Sequence, residues 1–524
     1  MDIIGKRSLR DLLNEKVRLF PDKTFLFFED AAQRRFELSY GEFADQVYRL
    51  SQVFVDFGVK KGDHIAMHLP NCIEFLTSWF AIASIGAIMV PTNPLSTADE
   101  MEYVLNHSES MILITEEEYL DKFASIKHSL HHLQETLLVR YSGGEYADRD
   151  LSKLMAKAMP VAPTVPLSSD DVAGMIYTSG TTSKPKGVEI THANYIYVGE
   201  LMSKSVRLSP EDRQFIVLPL FHGNAQYYST MSALVVGASI AMTEKFSASR
   251  YFKQAKQLGA TVGSLFAAPI RMILAQNYDS LDRDHSLRMI WFAQSVTPEQ
   301  LTAFEEKYQT TLLQMYGMTE TIGIPLMNPI DGIRKNMSIG KPTIGYEVKL
   351  VDEAGEEVPV GMSGQIIVKG IPGRTLMKGY FKNPIATAET LRDGWLYTGD
   401  NAQLEEDGYF YFVDRIKDMI KRAGENVAAN EVESVLCQHQ AVYEAAVIGI
   451  PDDIRDEAIK AYVILRENYR LTEEELLSHS RERLAKFKVP DSIEFISEFP
   501  RTSVGKIQKH ILRRKHEQEF KTHT

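Results

Sequence analysis

Near its start the chain alternates amphipathic helix with short apolar strand, and this narrows the available folds more than any other feature. Ser39 followed by Glu42 has the spacing of a capping box, in which each side chain caps the other's backbone N–H. Phe43, Val47, Leu50, Phe54 and Phe57 then recur at intervals of four and three, one face of a helix. His64 to Leu69 reads as a strand. The alternation predicts a layered α/β fold whose strands are largely parallel and buried. At roughly 100–200 residues per domain, a chain of 524 residues predicts two to four units. With 44% hydrophobic and 24% charged residues the composition excludes wholesale disorder.

Pro160, Pro163 and Pro166, followed by Ser168 and Ser169, read as a linker between subdomains. A strand is expected over Val172–Tyr177. Near Gly394 the texture changes to short strands and turns, DGWLYTGD and then EEDGYFYFVDR. After Arg415 a compact α+β unit is expected, with strands over Tyr443–Ile450 and Ala458–Leu465. Thr472 and Glu475 should cap a helix there. This last stretch of about 110 residues is long enough for its own core.

Several function classes fall away. A net charge of −12 argues against nucleic-acid binding. Only Arg501–Thr524 is basic, with seven Lys/Arg against two Glu, and it reads as a solvated helix face. Two cysteines, Cys72 and Cys437, exclude a disulfide framework and a Cys-rich zinc site, which fits a reducing compartment. The opening MDIIGKRSLRDLL lacks the apolar core of a signal peptide, so a cytoplasmic location is expected. The most apolar stretch, Phe75–Val90, contains Thr77, Ser78, Ser84 and Gly86 and is shorter than the ~18–20 residues of a membrane span. It reads as a buried helix running into a strand, not a transmembrane segment.

The segment YTSGTTSKPKGV, Tyr177–Val188, carries the first chemical signal. Two glycines, five hydroxyl residues and two lysines fall within Thr178–Gly187. Backbone N–H groups, hydroxyls and a mobile cation suit a polyphosphate. The segment is not a P-loop of the G-x-x-x-x-G-K-[ST] type: five residues after Gly180 comes Pro185, and the order Lys186-Gly187 is reversed. The dinucleotide pattern G-x-G-x-x-G is also absent there.

This segment resembles the phosphate-binding signature of the adenylate-forming superfamily of acyl-CoA synthetases, adenylation domains and luciferases. Four further motifs follow in that family's order: LPLFHGNA, Leu218–Ala225; MYGMTET, Met315–Thr321; YTGD, Tyr397–Asp400, with VDRIKDMIKRAGENV, Val413–Val427; and PRTSVGKI, Pro500–Ile507. The resemblance covers essentially the whole chain. It implies a large multi-subdomain α/β N-terminal domain, residues 1–414, and a small mobile α+β C-terminal domain, 415–524, hinged near Lys417. It implies an AMP-forming acid:CoA ligase that uses ATP, Mg2+ and coenzyme A on a small-molecule carboxylic acid. A carboxylate attacks the α-phosphate of ATP, giving acyl-adenylate and pyrophosphate; the thiol of coenzyme A then displaces AMP. A homodimer is compatible with the same resemblance.

Site residues follow from the matched positions. Thr178, Ser179, Gly180, Thr181, Thr182 and Lys186 would cradle the β- and γ-phosphates. Tyr316 resembles the aromatic residue beside adenine, Thr319 the α-phosphate donor and Glu320 the magnesium ligand. Asp400 and Arg415 resemble the ribose partners. Lys506 resembles the lysine that bridges carboxylate and α-phosphate, a role suited to a point charge on a flexible stem. After domain rotation Ala423, Gly424 and Glu425 would face the pantetheine tunnel. The acid pocket would be formed by His222, Gly223, Ala293, Gln294, Ser295 and Gly317.

For the acid, VKGIPGRTLMKGYFKNPIAT, Val368–Thr387, IPDDIRDEAIKAYVIL, Ile450–Leu465, and LAKFKVP, Leu484–Pro490, resemble the branch acting on crotonobetaine and carnitine. A quaternary ammonium group favours aromatic faces or a carboxylate. Tyr227, Tyr228, Trp291 and Phe292 stand near the pocket segments, whereas GNAQ after His222 supplies no acid. A short- or medium-chain fatty acid, or transfer to a carrier protein, is the alternative.

Overall fold

The computed structural model describes residues 3–178, 184–277, 279–422, 425–452, 456–501 and 507–523. The early alternation is realised as expected. Ser39 caps helix Tyr40–Asp56: its hydroxyl accepts from the N–H of Glu42 at 3.1 Å, and Glu42 accepts from that of Ser39 at 2.7 Å. Strand His64–His68 follows, and the apolar stretch becomes helix Ile73–Ser84 running into strand Ile88–Pro91. Thr472 and Glu475 form the same reciprocal cap on helix Glu473–Arg481.

Two large sheets form the body. The nine-stranded sheet runs Lys341–Pro342, Leu326–Met327, Thr311–Tyr316, Met289–Ala293, Val262–Phe266, Arg213–Ile216, Ser239–Thr243, Thr24–Glu29 and Arg35–Ser39. From Thr311–Tyr316 to Thr24–Glu29 every pairing is parallel; the edges are antiparallel. Strand Thr24–Glu29 finds its parallel partner far along the chain, with Leu26 opposite Ile240. The seven-stranded sheet runs Gly379–Tyr380, Lys186–Thr191, Val172–Thr178, Ile88–Pro91, His64–His68, Ile112–Thr115 and Glu135–Leu138. One continuous apolar core joins both sheets through helices Tyr40–Asp56, Ile73–Ser84 and His192–Ser205. A second core, with Phe215, Leu265, Ile290 and Phe292, covers the other face of the nine-stranded sheet, which is why its central strands read as continuous apolar runs.

One expectation is corrected. The proline-rich stretch does not separate subdomains. The strands on either side of it, Glu135–Leu138 and Val172–Thr178, belong to the same sheet. The prolines instead cross the surface, where Arg10 donates to the carbonyls of Pro163 and Val165 at 2.7 and 2.9 Å. The largely parallel expectation holds from Val172–Thr178 to Glu135–Leu138, and the sheet turns antiparallel only toward its other edge. Strand Val172–Thr178 pairs antiparallel with Lys186–Thr191, with Thr178 opposite Lys186.

A five-stranded sheet contains Trp395–Leu404 and its antiparallel neighbour Phe410–Arg415. The last sheet, Glu425–Ala428, Met419–Arg422, Asp456–Leu465, Val442–Asp452 and Ser492–Phe495, has a separate core around Ile420, Val432, Val447 and Leu476. Among the described residues no helix is long and apolar enough to cross a membrane.

Candidate active site

The parallel strands of the nine-stranded sheet deliver their carboxyl ends to one cleft of about 1990 Å³. Phe266, Ala293 and Tyr316 each close a strand and each line that cleft. Ligands of open α/β sheets bind at such strand ends.

On one side the cleft is polar and tightly bonded. Tyr316 is buried and donates its hydroxyl to Asp400 Oδ2 at 2.7 Å. Asp400 stands opposite Arg415 in the antiparallel register, and Arg415 Nε approaches Asp400 Oδ1 at 3.3 Å. The Thr398 hydroxyl accepts from the backbone N–H of Asp400 at 3.1 Å. Burial, then the Asp400 charge, pushes the Tyr316 hydroxyl well above the usual phenol range, so it stays a donor.

After Tyr316 the chain turns through Gly317, Met318 and Thr319 to Glu320, which is buried. Glu320 Oε1 accepts from the Tyr380 hydroxyl at 2.8 Å and lies 3.5 Å from the Thr178 hydroxyl. Lys186 Nζ sits 4.2 Å from the centre of the Tyr380 ring. Thr178, Lys186, Thr319 and Glu320, predicted from separate motifs, therefore meet along one wall. Ser179, Gly180, Thr181 and Thr182 lie outside the described residues. Tyr380 was missed in the sequence, where it reads as one more aromatic in GYFKN. Its partners, Glu320 in a turn and Lys186 on a strand, are distant from it in the chain.

The other side is closely packed around Tyr227 and Tyr228. His222, Gly223, Ala293, Gln294, Ser295 and Gly317 all line the cleft. The chain after Gly223 winds as a π-helix, Asn224–Met231, a form concentrated at functional sites. It presents Tyr227 and Tyr228 to the cleft. Trp291 and Phe292 do not reach it: both are fully buried in the cores on either face of their strand. A Cβ on Gly223 would lie 2.9 Å from the Tyr227 ring, and one on Gly317 would lie 2.7 Å from the Tyr228 hydroxyl. Both glycines are what let the tyrosines approach the backbone. Gln294 holds φ at 76°, an unusual value for a side-chain-bearing residue, and its carbonyl accepts from Gln314 at 3.2 Å.

The C-terminal part contributes a third wall. Lys506 lies outside the described residues. Arg501 and Ile507, on either side of it, pair in an isolated antiparallel bridge and both line the cleft. Lys417 falls in the single turn Ile416–Asp418. Ala423 and Gly424 lie outside the described residues. Glu425 is exposed and does not line the cleft.

Among the described residues no group of three or more His, Cys, Asp or Glu side chains could hold a metal alone. Magnesium characteristically takes one or two carboxylates and completes its shell with phosphate oxygens and water. A lone buried Glu320 beside a phosphate-type segment fits that donor set.

Comparison with known proteins identifies the family. The AMP-binding enzyme family matches residues 13–381, and the AMP-binding enzyme C-terminal domain matches residues 431–506. The chain is 39% identical over 518 residues to a crotonobetaine/carnitine–CoA ligase of Proteus mirabilis, covering 98% of this chain and 100% of that protein. It is 38% identical over 520 residues to the Salmonella typhi enzyme of the same description, with the same coverage. Among solved structures, the anthranilate CoA ligase AuaEII in complex with anthranoyl-AMP matches with a TM-score of 0.90 at 28% identity, covering 98% of each chain. ATP-bound MatB from Rhodopseudomonas palustris matches at 0.87 and 27%, covering 97% of this chain and 99% of that one. The Bacillus subtilis o-succinylbenzoate CoA synthetase with its acyl-adenylate matches at 0.84 and 27%, covering 97% and 98%. With both domains matched and the full length shared, the chain belongs to the AMP-binding enzyme family, as an AMP-forming acyl-CoA ligase that uses ATP, Mg2+ and coenzyme A.

Proposed function

We propose that this ligase activates crotonobetaine or carnitine. The observation that carries the reading is the pair Tyr227 and Tyr228 on the acid side of the cleft, presented by the π-helix and seated against Gly223 and Gly317. A quaternary ammonium is held by aromatic faces, worth about 0.5–2 kcal/mol per contact, without needing a hydrogen-bond acceptor. The full-length likeness to ligases described for these acids points the same way.

In this reading residues 1–414 bind nucleotide and acid, and 415–524 swing about Lys417. Tyr316 offers its ring to adenine. Asp400 accepts from the ribose hydroxyls with Arg415 beside it. Thr178, Ser179, Gly180, Thr181, Thr182 and Lys186 hold the β- and γ-phosphates, and Thr319 donates to the α-phosphate. Glu320 would hold magnesium, whose charge lets a carboxylate approach a polyphosphate. Lys506 bridges the two anions, so the chain's contribution is mainly positioning and fixed charge. His222 borders the entry of acid and thiol. Ala423, Gly424 and Glu425 turn toward the pantetheine tunnel after rotation, a motion that would separate the two half-reactions.

The test is to incubate the purified protein with ATP, magnesium, coenzyme A and a pool of carnitine, crotonobetaine, γ-butyrobetaine and straight-chain fatty acids. Nucleotides are resolved by chromatography and thioesters by mass. AMP with a single betaine thioester is the expected result. AMP with a fatty acyl thioester would retain the chemistry and reject the substrate.

A further inference from the structure

The cleft has an ion cluster that the two half-reactions, as described above, do not employ. Glu444, on strand Val442–Asp452, is buried, with its side chain 9% exposed. It is gripped by two arginines from different parts of the molecule. Arg271 Nη2, from helix Ala267–Leu274 of the body, donates to Glu444 Oε1 at 3.0 Å. Arg501 donates through Nη1 to the same oxygen at 3.3 Å and through Nη2 to Oε2. Arg271 also reaches the carbonyl of Ser295 at 3.4 Å, in the segment lining the acid side.

The geometry points to Glu444 as the latch that holds the C-terminal unit in the acid-activating orientation and, through Arg501, positions the segment carrying Lys506. Three features carry this. The carboxylate crosses between two separate hydrophobic cores, so the contact is made in one orientation and broken by rotation. Arg501 begins the segment that ends at Ile507, so fixing its guanidinium at two points fixes one end of that segment. Without the carboxylate, two guanidiniums would face each other across a half-buried gap, where like charges repel strongly. Glu444 is thus a positioning residue that favours one state of a two-state element. The inference rests on the proposed rotation and on Lys506, but not on the identity of the acid.

The test separates the half-reactions, with crotonobetaine as acid, or hexanoate should the pooled assay yield a fatty acyl thioester. Acid-dependent pyrophosphate–ATP exchange reads the first step. Thioester formation from presynthesised acyl-adenylate and coenzyme A reads the second. Glu444→Gln should slow the first at least tenfold, about 1.4 kcal/mol, and leave the second within about twofold or raise it. Glu444→Asp should recover part of the loss. Should Glu444→Gln fold poorly, Arg271→Gln, which breaks the body-side contact to Glu444 and also the bond to the Ser295 carbonyl, is expected to show the same split with KM for the acid unchanged. Parallel loss of both steps, or no change in either, would overturn the latch. Lys506→Ala run alongside keeps the failures distinct: if it loses the first step while Glu444→Gln and Arg271→Gln do not, the latch is wrong and the role of Lys506 stands.

Discussion

The two sides of the cleft differ in how their residues are held. On the side proposed for the nucleotide, side chains bond to side chains: Tyr316 to Asp400, Asp400 to Arg415, Tyr380 to Glu320. On the side proposed for the acid what stands out is close packing, with Gly223 and Gly317 against Tyr227 and Tyr228. A nucleotide is the same for every member of such a family, so specific donors and charges can serve it. An acid varies, and shape can be changed one residue at a time. Polar sites of the first kind should lose nucleotide handling when altered; packed sites of the second kind should change which acid is accepted.

Substitutions can break or sharpen that contrast. The largest effect is expected for Lys506→Ala: removing the charge proposed to act in the transition state should lower pyrophosphate exchange roughly 10²–10³-fold, with thioester formation from acyl-adenylate much less affected. Asp400→Asn comes next. It removes the charge shared by Tyr316 and Arg415 and should raise KM for ATP about 10–100-fold, with KM for the acid nearly unchanged. A parallel rise in both constants would show that the two sides are not independent. Gly223→Ala should act in the opposite sense. A methyl group 2.9 Å from the Tyr227 ring must displace it, lowering kcat/KM for the acid about tenfold while KM for ATP holds. The smallest effect is expected for Tyr228→Leu, a loss of roughly 2–30-fold for a betaine and little for a neutral acid of equal length. Equal losses for both acids would remove the cation from the argument.

The same contrast explains what the sequence made legible. Helix Tyr40–Asp56 and strand His64–His68 were readable because period and cap are local properties. Strands Val442–Asp452 and Asp456–Leu465 were readable for the same reason. The proline-rich crossing was misread because composition marks a surface segment without saying which sheet it returns to. The antiparallel pairing of Val172–Thr178 with Lys186–Thr191 was not legible because an apolar run looks the same whether its neighbour is parallel or antiparallel. On the nucleotide side, Thr178, Thr319, Glu320 and Asp400 stand in contiguous motifs. Tyr380 escaped because its role exists only where strand Gly379–Tyr380 pairs with Lys186–Thr191. On the acid side, Trp291 and Phe292 alternate to opposite faces of one strand and are fully buried, which chain proximity to Ala293 could not reveal.

The pairing of Thr24–Glu29 with Ser239–Thr243 has a consequence for the chain as it is made. Its other neighbour, Arg35–Ser39, arrives at once as a local hairpin. The partner of Leu26, Ile240, does not exist until some two hundred residues later. At roughly 5–20 residues per second on the ribosome, that edge waits about 10–40 s. Through that interval Phe25, Leu26, Phe27 and Phe28 form an apolar strand with an open side, the feature most prone to pair with a stranger. Nascent chains stopped before Thr243 should therefore aggregate more than those extended past Phe266, where the next open edge, Arg213–Ile216, also finds its partner.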